Sequence, residues 1–236
     1  MPSPVIREVC VDSLAGVRAA AAAGAERVEL CADLSTGGLT PGGGLVRTAR
    51  DVAGVQVVAL IRPRPGDFHA DAAERETLLA EVRWAREAGL DGVAVGALTT
   101  DGRVDAATTA ALVREAGPLD VCFHRAFDLV ADQHTALEQL IDLGVHRVLT
   151  SGGASSVDAG LHRLVELCAA AEGRITVMPG GGVRPGNIVR LLAETGARAV
   201  HFSARGQAPS PMTYVHAGCS LRSNDPPRDD VRGITD

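Results

Sequence analysis

"GAERVELC" (residues 24–31) shares its design with three later segments, "GLDGVAVG" (89–96), "GVHRVLTS" (144–151) and "GARAVHFS" (196–203). Each opens on a glycine after a helical stretch, where a helix C-terminus favours positive φ, and runs into a short β-rich segment. The repeat is a helix-to-strand junction. Strand side chains alternate between faces, so Val28 and Leu30, Val93 and Val95, Val148 and Thr150, and Val200 and Phe202 fall on one side. This nearly uniform apolar face predicts packing beneath helices. The other face carries Glu29 and Cys31, Ala94 and Gly96, Leu149 and Ser151, and His201 and Ser203.

Four further β-rich runs interleave with these: "VIREVCV" from Val5, "VQVVALIRPR" (55–64), "LDVCFHRAF" (119–127) and "RITVMPGGG" (174–182). Seven amphipathic stretches separate the eight strands, among them 70–88, 104–116, 132–143 and 157–171. This alternation predicts a TIM-type (β/α)8 barrel over residues 1–204, with a doubly wound open sheet as the structural alternative. Residues 205–236 are polar, hold four prolines and show no long helical period. The final helix is expected to be short, displaced or missing, and the tail mobile.

With 46% hydrophobic and 3% aromatic residues, the 236-residue chain can bury one large aliphatic core. Its net charge of −6 argues against nucleic acid as a partner. An anionic partner would be small. The chain contains no lysine, which excludes Schiff-base chemistry and a lysine-held pyridoxal cofactor. Cys10, Cys31, Cys122, Cys168 and Cys219 are odd in number and widely spaced, as expected of reduced thiols in a cytoplasmic protein without a signal peptide. Apolar runs such as "AGVRAAAAAGA" (15–25) are too short or interrupted to span a membrane.

In such barrels the C-terminal ends of the strands hold the site. That rule places Glu8 and Cys10, Glu29 and Cys31, Arg62 and Arg64, His124 and Arg125, Ser151, and His201 with Ser203 at or near one mouth. A buried ion-pair cluster is the structural explanation, because charges inside a barrel need partners whatever their role. Contributions from five different strands favour a functional one. "MPGGGVRPGN" (178–187) follows the seventh strand and leads into a helix starting near Pro185. Its glycines Gly180, Gly181 and Gly182 suit an oxyanion or phosphate, although a simple turn is the alternative.

"GGLTPGGGL" (37–45), "IRPRPGDF" (61–68), "FHRAFD" (123–128), "LTSGG" (149–153), "GGGVRPGN" (180–187) and "HFSA" (201–204) resemble the CutC copper homeostasis family, in order and spacing, from about residue 6 to 204. The resemblance implies a cytoplasmic TIM barrel, a homodimer or higher homo-oligomer, and copper binding. This chain departs from the pattern at Cys122, where threonine is common, and at its end, where the family's C-terminal helix is not evident.

Two functions follow as expectations. Copper as Cu(I) prefers soft thiolates, and Cys10 and Cys31 occupy equivalent places in "EVC" and "ELC", with Cys122, Met178, His124 and His201 at other inward positions. Inward cysteines can equally be small core hydrophobes. The alternative is an isomerase- or lyase-like enzyme acting on a small phosphorylated or carboxylated molecule. Glu8 or Glu29 would serve as base with His124 as acid, and Arg62, Arg125 and Asp128 would complete the catalytic group. Arg64, Ser151, Gly152, Gly180, Gly181, Gly182, His201 and Ser203 would bind the anion. A barrel serving only oligomer contacts is the third possibility.

Overall fold

A computed structural model describes residues 5–52, 54–214 and the backbone of 231–235. Eight parallel strands, β1 (Ile6–Val11), β2 (Arg27–Leu30), β3 (Gln56–Leu60), β4 (Gly92–Val95), β5 (Asp120–Phe123), β6 (Arg147–Thr150), β7 (Thr176–Pro179) and β8 (Ala199–Phe202), form one sheet in the order β7-β6-β5-β4-β3-β2-β1-β8. A parallel bridge between Gly180 and His201 brings its two edges together. The result is the (β/α)8 barrel that the repeat predicts.

Helices α1 (Leu14–Ala22), α2 (Gly43–Arg50), α3 (Ala72–Glu87), α4 (Ala106–Ala116), α5 (Gln133–Asp142), α6 (Leu161–Ala171) and α7 (Ile188–Thr195) follow the first seven strands. α3, α4 and α5 start later than periodicity alone suggests because Asp71, Asp105 and Asp132 are spent as N-caps, each accepting from backbone N–H groups of the first turn. The seventh helix starts at Ile188 rather than near Pro185, because the Asn187 Oδ1 accepts from Arg184 N–H and holds 184–187 as a turn. Gly24, Gly89, Gly144 and Gly196 all have positive φ, which lets the chain leave each helix and enter the next strand.

Outward residues Val28, Leu30, Val93, Val95 and Val148 are fully buried against the helices. The lumen is filled by Cys10, Cys31, Val58, Leu60, Ala94, Cys122, Leu149, Met178 and Ala199. No helix follows β8 among the described residues. Instead β9 (Arg205–Pro209) pairs antiparallel with β10 (Val231–Thr235), where the sequence suggested only an irregular tail. These strands are too short and too rich in glycine and proline to announce themselves. Cys219 and the rest of 215–230 lie outside the described residues.

Candidate functional site at the barrel mouth

The lower lumen is built from charges. Glu8 on β1 is buried, and its Oε2 accepts from Arg147 Nη1 at 2.6 Å and from Arg27 Nη1 at 3.4 Å. Its Oε1 takes the Nδ1–H of His201 at 2.9 Å. Asp120 extends the chain by accepting from Arg147 Nε at 3.0 Å. Burial acts to raise the Glu8 pKa, but the His201 hydrogen bond and the charges of Arg147, His201 and Arg27 outweigh it and hold the carboxyl down to about 2. His201 responds in the opposite sense. Burial disfavours its charge, yet Glu29 and Glu8 together raise its pKa above the ordinary range.

One level higher stand Glu29, Cys10 and Cys31. Cys10 Sγ lies 3.6 Å from Cys31 Sγ and 3.5 Å from Glu29 Oε1, and all three residues are buried. Both cysteines are reduced. Cys10, Glu29 and His201 bring a thiol sulfur, a carboxylate oxygen and a ring nitrogen all within 4.8 Å of one another. The Cys31 hydrogen bond, burial and the Glu29 charge push the Cys10 thiol well above its ordinary range. Burial, aided by Glu8, also raises Glu29, whose Oε2 has no partner among the described residues.

His124 opens the opposite wall. Its Nδ1 accepts from Ala126 N–H at 3.2 Å as a helical N-cap, so the neutral ring carries its proton on Nε2. Burial, helped by Arg62, pushes its pKa down to about 3. Nε2 has no partner among the described residues. Gly96 makes room for this ring, since a Cβ there would collide with His124 Cε1. Phe68 lies 4.9 Å from the His124 ring, and Arg62 sits 5.1 Å above Phe68. Arg62 spends both terminal nitrogens on the carbonyls of Thr36, Gly38 and Gly66, and its buried Nε has no partner among the described residues.

The loops after β5 and β6 are tied together by Asp128. It accepts from Thr150 Oγ1, Ser151 N–H and Oγ–H, Gly153 N–H and Arg125 Nε. Arg125 Nη2 also donates to Ser151 Oγ at 2.9 Å. Gly181 has φ +100°, a conformation that favours glycine, and an added Cβ would meet the Arg125 guanidinium at 3.2 Å. These elements enclose a cavity of about 390 Å³ at the C-terminal end of the strands, lined by Cys10, Glu29, Arg62, His124, Arg125, Gly181, Gly182, His201 and Ser203 among others.

Several expected mouth residues stand elsewhere. Glu8 lies below the mouth inside the ion network, because its register partners on β2 and β8 are Arg27 and His201. Arg64 is turned outward and held by Glu74 and Asp67, away from this cavity. Ser151 and Asp128 are engaged with each other. Gly152 N–H is taken by Thr150 Oγ1, and Gly180 N–H by the Thr150 carbonyl. Arg27 and Arg147 went unnoticed in the sequence. The available signal was their shared fourth place in the repeat, on the same face as Glu29 and Leu149.

A family model described as the CutC family matches residues 5–206. A CutC family protein from Chromobacterium violaceum is 48% identical over 216 residues, covering 92% of this chain and 87% of the relative. The human copper homeostasis protein cutC homolog is 43% identical over 216 residues, covering 92% and 79% respectively. The solved structure of the CutC protein from Streptococcus agalactiae superposes with a TM-score of 0.80 at 31% identity, over 84% of this chain and 98% of that one. An aldolase, QR15, shares the fold alone, at 16% identity and a TM-score of 0.64 over 85% of this chain and 90% of its own. By family model, relatives and fold together, this chain belongs to the CutC family.

Proposed function

We propose that the protein binds Cu(I) in its barrel lumen through Cys10 and Cys31, and that it serves copper homeostasis in the cytoplasm. The observation that carries this reading is the pair of buried, reduced thiols with sulfurs 3.6 Å apart. Two soft donors side by side suit Cu(I), whereas Glu29 is a hard oxygen donor and better placed to take up a proton. His201 faces Glu8 through Nδ1, and its raised pKa favours the protonated ring over a ligand nitrogen. The ligand set is therefore the two sulfurs.

Because the Cys10 thiol is held protonated, binding must release protons, and affinity should climb as pH rises. An anaerobic Cu(I) titration against a competing chelator tests this. The double variant Cys10→Ser, Cys31→Ser is expected to weaken binding by roughly a hundredfold or more. Unchanged affinity in the double variant, or an affinity indifferent to pH, overturns the assignment. No described helix is long and apolar enough to cross a membrane.

A further inference from the structure

We propose that the part of the mouth formed by the loops after β3, β5 and β7 is a binding site for the oxyanion of a small phosphorylated or carboxylated organic molecule, independent of any metal on the β1–β2 side. The first ground is charge. The chain as a whole carries −6, yet the cavity is lined by Arg62, Arg125, Arg205 and His201 against a single carboxyl, Glu29. Arg125 is balanced by Asp128 and His201 by Glu8. Arg62 has carbonyls and an aromatic face around it and no carboxylate partner among the described residues. A positively charged recess in an acidic protein collects anions.

The second ground is the supply of uncommitted donors. Gly180 N–H is bound, but among the described residues neither Gly181 N–H nor Gly182 N–H has an acceptor. Both glycines have positive φ, at +100° and +83°, and both line the cavity. Successive free N–H groups in a turn after the seventh strand make an anion-binding concavity. Arg125 stands against Gly181, so a guanidinium and a backbone turn face the same volume.

The third ground is His124. It is 5% exposed, lines the cavity, and holds a ring proton on Nε2 with no acceptor among the described residues. A buried N–H without a partner is costly, and an oxyanion would satisfy it. Ser151 and Asp128 are left out of the ligand shell, since their polar atoms already serve one another and the 150–154 turn. At about 390 Å³ the cavity suits a compact metabolite.

The test uses metal-stripped full-length protein titrated separately with inorganic phosphate and with succinate, followed by calorimetry. Saturable binding of either probe is expected, with Kd near or below about 1 mM, and the tighter probe names the class. Arg125→Gln removes the guanidinium. His124→Asn keeps an N-cap acceptor while deleting the ring donor. At least one of these variants should lose affinity by roughly tenfold or more. No saturation by either probe, or equal affinity in wild type and both variants, overturns the proposal. Neither result bears on the Cu(I) titration, which reads different residues.

Discussion

The lower and upper halves of the lumen are filled with similar residue types and finish them differently. Below, Glu8 takes three donors from Arg27, Arg147 and His201, and Asp120 takes a further one from Arg147. Above, Glu29, His124 and Arg62 each keep a buried polar atom without a partner among the described residues. Among the described residues Arg147 Nη2 is the exception in the lower half, one unpaired atom on a guanidinium that is otherwise doubly bound. A buried charge that completes its own pairing explains itself by stability, whereas one left incomplete where the cavity opens points to something that arrives. The ion-pair explanation of the polar cluster fits the lower half of the lumen, and the unpartnered atoms that motivate the proposed sites lie in the upper half.

The largest effect belongs to the lower half. Glu8→Gln leaves the buried Arg27 and Arg147 with Asp120 as their one remaining carboxylate among the described residues, and should lower unfolding stability by about 3–5 kcal/mol. Chemical denaturation checks this, and a variant as stable as wild type would return Glu8 to the list of groups available for chemistry. A smaller effect tests the upper half through pH. His124 stays neutral in the fold down to about pH 3, while an unfolded histidine titrates near 6.5. Because the folded pKa lies below the unfolded one, its contribution is intact above the unfolded value and is lost as pH falls through that window. The slope is at most about 1.4 kcal/mol per pH unit. His124→Asn should flatten that slope in denaturation curves across the window, and an unchanged slope would show that the ring is not held neutral. The smallest effect is predicted for Arg64→Ala, since that side chain is exposed and paired outside the cavity. It should leave both the thermal midpoint and phosphate affinity unaltered, and a loss of affinity would redraw the edge of the site.

Much of this was legible before any fold was known. The helix-end glycines and the alternation of Val28, Glu29, Leu30 and Cys31 follow from local conformational preference and from the two-residue period of a strand, so they survive any tertiary context. The same logic placed Cys10 and Cys31 in adjacent strands, and their sulfurs do meet. Parity says which face a residue occupies and nothing about its height. Glu8 and Glu29 share the lumen face, yet one is sealed among arginines and the other borders the cavity. Arg64 and Ser151 illustrate a second gap. Both stand in mouth motifs, but Glu74 ten residues on claims Arg64, and Asp128 from a different loop claims Ser151.

By itself, then, the sequence determined the barrel, the inward and outward faces of its strands, and the gathering of acids, thiols, arginines and histidines at one end. Tertiary structure alone decided which of those groups are already neutralised. Glu8 meets Arg147 across 139 residues of chain, through strand registers and barrel closure that no local pattern encodes. Charge pairing in a closed barrel is set by the stagger of strands distant in sequence. The protonation states of Glu8, Glu29, His124 and His201 follow from that pairing and from burial, which is why chemistry assigned to residue type alone had to wait for the fold.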